Sequence, residues 1–349
     1  MRVLVTGGAG FIGSRIVEAL ASAGHEVRVL DALLPHVHPS GRPPQFPEGV
    51  EFRHGDIRDE STVVSALRGI DVVSHQAAMV GRGKEIRDAV NYVTCNDQGT
   101  AQLVTAMTAA GMDRLVLGSS VVIYGDSRYD CPAHGRVRPG RRPKSDLDAG
   151  RFEPRCPKCA MILVDSPVQE DDPLDPPRNV YAVTKLAQEY LIGAWARETG
   201  GKAVALRYHN VYGPDMPYQS PYSGVAAVFR TAVERGIAAR VFEDGKPCRD
   251  FVHVQDIASA NVAALSWAGE GFRAFNVASG DPRGIAEVAG ALAAARGTPE
   301  PVITGEYRIG DVRHIVASPQ RIQDELGWKA SVGFEEGMAE FANSPMRGA

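Results

Sequence analysis

Two pairs of side chains in this sequence have the types and spacing of an acid/base site. Tyr181 and Lys185 are four residues apart, so they lie on one face of the helix that the following apolar residues predict. A nearby ammonium favours the phenolate and lowers the pKa of a phenol, and a phenolate can take a proton from a hydroxyl group near neutral pH. Ser119 and Ser120 follow a buried apolar run, at the strand end where parallel sheets place catalytic groups. An exposed helix pair has the same Tyr-Lys spacing, so other motifs must decide between these two interpretations.

A glycine-rich turn near the N-terminus predicts a site for a diphosphate. Gly7, Gly10 and Gly13 stand between a β-branched run and a stretch with helical spacing. Without Cβ atoms the backbone can approach a pyrophosphate, whose charge then lies at the helix N-terminus. Asp31 closes the next strand, where a carboxylate accepts hydrogen bonds from ribose hydroxyls and repels a 2′-phosphate. The pattern predicts NAD in preference to NADP, although Arg28 on the same strand weakens that preference.

These residues lie on strands that alternate with helices. We predict strands at residues 2–6, 26–31, 50–54, 71–75, 115–124 and 204–208. Such alternation is typical of a parallel sheet that is covered on both faces. Beyond about residue 210 the alternation becomes less regular, which indicates a smaller lobe facing the substrate. We expect two units, residues 1–209 and 210–349, with some segments of the second returning to the first.

Residues 126–170 differ from the rest of the chain, being rich in Pro, Arg, Asp and Gly without apolar periodicity. Cys131 and His134 form one knuckle and Cys156 and Cys159 form another, each with two residues between the ligands, and these four predict one tetrahedral zinc. All four would be ligands, so the zinc would be structural, and it would order a segment that lacks a core. Coincidental turn cysteines and a redox Cys-x-x-Cys are the alternatives. We interpret the other cysteines as ordinary packed thiols; they are Cys95 and Cys248.

The composition excludes several classes of protein. The 349 residues include 38 Lys plus Arg and 42 Asp plus Glu, a net charge of −4, and 44% are hydrophobic. The small acidic excess argues against a nucleic-acid partner or an anionic membrane surface. No apolar run reaches the length of about eighteen residues that spans a bilayer, and the first residues lack a secretory pattern, so we expect a cytoplasmic protein without a membrane partner.

Taken together, the motifs resemble the extended short-chain dehydrogenases/reductases, and among them the NAD-dependent nucleotide-sugar epimerases and dehydratases. The resemblance covers nearly the whole chain apart from residues 126–170. Its motifs are TGGAGFIG (6–13), GDIRD (55–59), HQAA (75–78), NDQGT (96–100), YAVTK (181–185), RYHNVYGP (207–214), RDFVHVQD (249–256) and RIGDVR (308–313). It implies an α/β, Rossmann-type doubly wound parallel sheet with a smaller C-terminal substrate lobe and a cysteine-rich insertion.

The resemblance also assigns roles to individual residues. Ser120 would hydrogen-bond the reacting sugar oxygen, Tyr181 would be the acid/base, and Lys185 would hold the nicotinamide ribose. The other implied cofactor contacts are Gly7, Gly10, Phe11, Ile12, Gly13, Asp31, Asp56, Ile57, Gln76, Ala77, Ala78, Asn96 and Tyr208. From the residues alone, Asp56 is either a contact to the adenine edge or a solvated turn residue. The nucleotide diphosphate would contact Asn210, Arg249 and Arg308, since arginines and an amide suit a diphosphate. Asp311 is a further implied substrate contact.

Two observations narrow the reaction. Related sugar 4,6-dehydratases carry Asp-Glu directly after the catalytic hydroxyl residue, whereas this chain has Val121 and Val122, whose alkyl groups move no proton. Related decarboxylases carry a glutamate in this stretch, and this stretch has none. We therefore expect 4-epimerisation of a nucleotide-diphosphate sugar through a 4-keto intermediate. The resemblance also suggests a homodimer through paired helices, with 96–112 and 181–198 as candidate faces. A nucleotide-sugar dehydrogenase or 4-ketoreductase, and a binding module without turnover, are the alternatives; the intact catalytic residues argue against the module.

Overall fold

Strands and helices alternate along the chain, as the apolar periodicity predicts. The computed structural model describes residues 1–81, 86–218 and 224–348. Its strands are β1 (Arg2–Thr6), β2 (Glu26–Asp31), β3 (Glu51–His54), β4 (Val72–His75), β5 (Arg114–Ser120), β6 (Arg128–Cys131), β7 (Gly135–Val137), β8 (Val164–Ser166), β9 (Lys202–Tyr208), β10 (Asn210–Tyr212), β11 (Arg240–Val241), β12 (Cys248–His253), β13 (Gly271–Val277), β14 (Pro282–Gly284) and β15 (Val302–Ile303). Its α-helices are α1 (Phe11–Ser22), α2 (Glu60–Ala66), α3 (Ala89–Tyr92), α4 (Gly99–Ala109), α5 (Lys144–Asp148), α6 (Val180–Thr199), α7 (Val225–Glu234), α8 (Val254–Ala264), α9 (Ile285–Arg296), α10 (Gln320–Leu326) and α11 (Phe334–Asn343).

The main sheet has seven parallel strands in the order β13-β9-β5-β4-β1-β2-β3. Side chains alternate across it, so Val3 and Val5 face α1 and α8 while Leu4 faces α2 and α4. Both faces are therefore buried, and the predicted α/β fold is confirmed. No described helix combines the length and the apolarity that crossing a membrane requires.

The strand predicted at 115–124 is wrong beyond Ser120, where β5 ends and a 3-10 helix follows (Val121–Tyr124). The Ser120 hydroxyl accepts a hydrogen bond from the amide of Val122, which caps this 3-10 helix and turns the chain away from the sheet. An apolar run does not reveal this turn, because the valines remain apolar in the 3-10 helix. The turn leaves Ser120 at the open carboxyl end of β5.

A smaller lobe follows β9, with one sheet of β10, β12 and β14 and a pair of β11 and β15. Its apolar core packs α7, α9 and α11 together. Two of its later elements leave the lobe: β13 pairs with β9 at the edge of the main sheet, and α8 packs on α1. The lobe therefore closes over the carboxyl ends of the parallel strands.

The segment 126–170 folds as an antiparallel sheet in the order β7-β6-β8. The expectation that it lacks a core is wrong. Five buried side chains pack together within it, and two of them are cysteines: Tyr129, Cys131, Val137, Cys156 and Leu163. This core is very small, so its stability depends on further contacts.

Candidate functional site

A cavity of about 720 Å³ runs from the glycine turn to the carboxyl ends of β5 and β9. Its lining joins the two sites that the sequence predicts separately. Gly7 and Asp31 lie at one end, and Ser120, Tyr181 and Lys185 lie at the other. This is the edge of a parallel sheet at which α/β proteins bind their ligands.

The glycine turn holds the N-terminus of α1 against this cavity. Gly7 has a φ of +69°, and a Cβ there would lie 2.6 Å from the Ala77 nitrogen. A Cβ on Gly13 would lie 2.1 Å from the Gly7 carbonyl oxygen. Larger residues would therefore push the turn and the helix apart. The first turn of α1 has no acidic side chain, so its amides and positive dipole end remain suited to a diphosphate.

Asp31 ends β2 beside that turn and lines the cavity. Its carboxylate accepts hydrogen bonds from the amides of Ala9 (3.0 Å) and Leu33 (2.9 Å), which fix its orientation. Arg28 points elsewhere, since it donates to Glu51 at 2.6 Å and to backbone carbonyls after α2. Arg28 therefore does not weaken the preference for a 2′-hydroxyl, and the acidic end of the cavity fits NAD.

Helix α6 carries the acid/base pair. Its N-cap residue Asn179 accepts a hydrogen bond from the Ala182 amide (2.9 Å), which places Tyr181 in the first turn and Lys185 one turn later. The Lys185 ammonium donates to the carbonyl of Gly118 on β5 at 2.8 Å. The helix is thereby fastened to the strand that ends in Ser120.

Burial governs the protonation of this pair. It raises the pKa of Tyr181 to about 12, against the opposing effect of a hydrogen bond with Ser120. It lowers the pKa of Lys185 to about 8, against the attraction of Glu189. The predicted lowering of the Tyr181 pKa is therefore not found for these contacts, because desolvation of the phenolate outweighs the hydrogen bond with Ser120. Positive charge added to the cavity would favour the phenolate.

A buried ion pair positions the end of β5. Glu189 of α6 and Arg207 of β9 are both buried and lie 2.8 Å apart, and the Ser119 hydroxyl also donates to Glu189. Successive side chains of a strand point to opposite faces, so Ser120 points toward the cavity. Removing either charge would leave the other buried without a partner.

Most of the other predicted cofactor contacts line the cavity, namely Gly10, Phe11, Ile12, Gly13, Asp56, Ile57, Gln76, Ala77, Ala78 and Tyr208. Asn96 does not. Its buried amide donates to the Met79 carbonyl (3.0 Å) and to the Thr184 hydroxyl (2.9 Å), while its oxygen accepts from the Met79 amide. Asn96 thus fastens a cavity-lining loop to α6 and acts on the cavity through that loop.

The predicted substrate contacts of the smaller lobe are not all brought together. Asn210 lines the cavity, whereas Arg249, Arg308 and Asp311 do not. Arg249 donates to the Arg313 carbonyl at 2.8 Å, and the Arg308 guanidinium lies over the Phe242 ring at 5.1 Å. The structure therefore keeps these three residues in the substrate lobe, outside the cavity that Ser120 and Tyr181 line.

Sequence reasoning missed several lining residues: His36, His38, Met79, Gly118, Met216 and Arg347. None belongs to a pattern with a recognised chemistry, and Met216 and Arg347 come from the distant lobe. Cys95, interpreted as an ordinary packed thiol, also lines the cavity. Such residues become visible only when the backbone places them beside the known motifs.

The four predicted metal ligands meet in the insertion. The ligand atoms of Cys131, His134, Cys156 and Cys159 all lie within 4.8 Å of one another. The Cys131 sulfur lies 3.5 Å from His134 Nδ1 and 3.6 Å from the Cys159 sulfur. Ligands on a zinc tetrahedron with bonds of about 2.0–2.3 Å are separated by about 3.3–3.8 Å, so these separations suit zinc.

Comparison with known proteins agrees with this geometry. A family model described as the NAD dependent epimerase/dehydratase family matches residues 3–145 and 159–278. The stretch that it omits, 146–158, lies inside the cysteine insertion. A dTDP-L-rhamnose 4-epimerase of Burkholderia thailandensis is 33% identical over 344 residues, covering 97% of this chain and 93% of that protein. A UDP-glucose 4-epimerase of Mycolicibacterium smegmatis is 31% identical and covers 97% of both chains.

The chain is also similar to solved structures of nucleotide-sugar epimerases. The UDP-glucose 4-epimerase of Thermus thermophilus in complex with NAD superposes with a TM-score of 0.76, at 32% identity over 98% of both chains. The UDP-glucose 4-epimerase of Thermotoga maritima with UDP-glucose has a TM-score of 0.78 at 28% identity, over 98% of this chain and 97% of that chain.

Proposed function

The chain belongs to the NAD-dependent epimerase/dehydratase family, and within it we propose that the protein is a 4-epimerase of a nucleotide-diphosphate sugar. The observation that carries this proposal is the single cavity. It joins a glycine turn and Asp31, which suit NAD, to Ser120, Tyr181 and Lys185, which suit proton transfer at a sugar hydroxyl.

Each catalytic residue has a separate task. NAD, which the glycine turn and Asp31 would hold, would supply a hydride acceptor for C4 of the sugar and a positive charge in the cavity. A positive charge there would favour the phenolate against the burial that raises the Tyr181 pKa, and Tyr181 would take the proton of the C4 hydroxyl and later return it. Ser120 hydrogen-bonds the same oxygen. Val121 is buried in an apolar cluster and Val122 packs against it, so neither provides the second proton transfer that dehydration requires.

The test is incubation with a panel of nucleotide-diphosphate sugars, followed by separation of the products. dTDP-L-rhamnose and UDP-glucose come first, since related proteins act on them. A 4-epimerase converts one of the panel to its C4 epimer without net NADH in solution. Accumulation of NADH would instead identify a dehydrogenase, and NAD binding without conversion of any sugar would favour a binding module.

We also propose that the cysteine insertion binds one structural zinc. Support comes from the four clustered ligands and from the very small core around them. A metal would hold the two knuckles together where apolar burial is insufficient. Thiolate ligands persist in a reducing compartment, which supports the proposal that the protein works in the cytoplasm.

The insertion is attached to the substrate lobe by ion pairs. Glu153 binds both Arg313 and His314, at 3.0 Å in each case. Arg142 donates to Glu243 at 2.7 Å. The Arg313 carbonyl oxygen also accepts a hydrogen bond from Arg249. The insertion therefore supports the segment that holds Arg249, which is one of the predicted substrate contacts.

Cys156→Ser is expected to lose the zinc, because a hydroxyl is a poor zinc ligand beside three intact ones. The zinc content measured by elemental analysis should fall from about one atom per chain in the wild type to none in the variant. Proteolysis should then cut within residues 126–170, and activity should fall while bound NAD remains. Cys248→Ser is the control, since that thiol lies outside the cluster. A wild-type protein without zinc but with full activity would contradict this proposal.

We propose a homodimer whose faces include α6 and the segment before α4. Exposed apolar side chains concentrate there, including Val90 (70% exposed) and Val93 before α4, and Val183 and Tyr190 (64% exposed) on α6. The two segments are in contact and form a continuous surface. Large exposed apolar patches are typical of protein interfaces.

Tyr190→Glu is expected to convert the dimer to a monomer, because it places a charge in the apolar centre of this surface. Light scattering measures the mass. Ile237→Glu, an exposed apolar position in the other lobe, is the control and should remain dimeric. An unchanged mass for Tyr190→Glu, or a monomeric wild type, would rule out this interface.

A further inference from the structure

The chain returns to the glycine turn after α11. Arg347 pairs with residues 216–218 through backbone hydrogen bonds, from its amide to the Met216 carbonyl (3.2 Å) and from the Tyr218 amide to its own carbonyl (2.9 Å). This two-stranded contact, residues 216–218 with 345–347, is called the strap below. The strap belongs to the substrate lobe, yet it carries the Arg347 side chain to the opposite unit.

The Arg347 guanidinium lies directly on the glycine turn. It donates to the Ala9 carbonyl at 2.8 Å, and its other terminal nitrogen lies 3.5 Å from the Ser14 hydroxyl. Arg347 lines the cavity together with Gly7, Gly10 and Asp31. A guanidinium has five N–H donors, so this contact leaves donors for a ligand.

The charge of Arg347 is not neutralised by an ion pair within the described part of the chain. The carboxylate oxygens of Asp31 accept hydrogen bonds from backbone amides, and Asp215 forms an ion pair with Arg15. His36 and His38 are further titratable groups on this side, and His38 lies 3.8 Å from Asp31. Burial lowers the pKa of Arg347, and both aspartates act against that. A half-buried guanidinium beside a glycine turn and a helix N-terminus is suited to a diphosphate.

We propose that Arg347 binds the diphosphate of NAD alongside the N-terminus of α1, and that the strap thereby keeps the dinucleotide bound through repeated turnovers. The role in turnover depends on the proposed epimerase function, in which the hydride returns to the sugar and the cofactor need not exchange. The role in binding depends only on the cavity and its charges.

The test compares cofactor release from Arg347→Met, Arg347→Lys and the wild type. Loss of charge-assisted hydrogen bonds predicts NADH release roughly 10- to 100-fold faster for Arg347→Met, with a smaller change for Arg347→Lys. Fluorescence of preloaded NADH measures the rate on the intact protein. Arg15→Met is the matched control, because Arg15 joins the two units beside the strap without lining the cavity.

Equal rates of NADH release from Arg347→Met and the wild type would overturn the proposal. It would also be overturned if Arg15→Met accelerated release as much as Arg347→Met, because the cause would then be weaker contact between the two units and not the lost charge of Arg347. Binding of ADP-ribose and of adenosine to protein freed of NAD locates the contact. Arg347→Met should weaken ADP-ribose binding alone, and equal weakening of adenosine would contradict a diphosphate contact. If Arg347→Met releases NADH faster but the wild type epimerises no sugar, the binding role of Arg347 stands, and the proposed function and the role in turnover are refuted.

Discussion

Tyr181→Phe is expected to abolish turnover while leaving bound NAD nearly unchanged. The change removes one hydroxyl from a ring that stays packed near Tyr92, with ring centroids 6.1 Å apart, so the cavity keeps its shape. Proton transfer by a positioned side chain contributes roughly 10²- to 10⁴-fold to a rate, and the 4-keto intermediate cannot form without it. Product separation measures kcat, and release from denatured protein measures the NAD content.

Ser120→Ala is the comparison for that experiment. It removes a hydrogen bond worth about 1–3 kcal/mol but leaves the base in place, so its loss of activity should be smaller. Retention of most activity by Tyr181→Phe would mean that another group moves the proton, and the assignment of Tyr181 would be wrong.

Lys185→Met is expected to have the second largest effect, a fall in kcat of roughly 10²- to 10⁴-fold at pH 7. Burial already raises the Tyr181 pKa to about 12, and loss of the neighbouring ammonium raises it further. In the proposed mechanism the deprotonated phenol is the base, so a higher pKa means less active enzyme at a given pH. The variant's rate should therefore increase about tenfold for each pH unit from 7 to 9.

The wild type should lack that increase. Its Lys185 has a pKa of about 8, so the ammonium that favours the phenolate is present below this pH and is lost above it. Lys329→Met, at an exposed position outside the cavity, should behave as the wild type. A Lys185→Met profile parallel to that of the wild type would show that the ammonium does not act on the phenol.

The predicted motifs that meet in the cavity share one property, which is that each consists of residues close together in the sequence. Gly7 and Gly13 are required by steric contacts within one turn, and Tyr181 and Lys185 are one helical turn apart. The parallel strands are apolar because both faces of the sheet are covered. Local spacing is sufficient to find such features.

The features that were missed depend on distant contacts. Arg347 reaches the glycine turn only because the strap pairs with residues 216–218. Asn96 belongs to a recognised motif, but its side chain binds Met79 and Thr184 and does not line the cavity. The direction of the Tyr181 pKa shift depends on how completely the folded chain buries the phenol, which spacing along a helix does not reveal.

The cysteine insertion lies in the connection between β5 and α6, so the chain must close the loop from residue 121 to residue 179 before Ser120 and Tyr181 can meet. A metal that joined Cys131 to Cys159 would shorten the effective length of this loop by roughly half. Each halving of a loop lowers the entropic cost of closing it by about 0.6 kcal/mol. Zinc supplied during synthesis would therefore shorten the search by which the two halves of the catalytic site find each other.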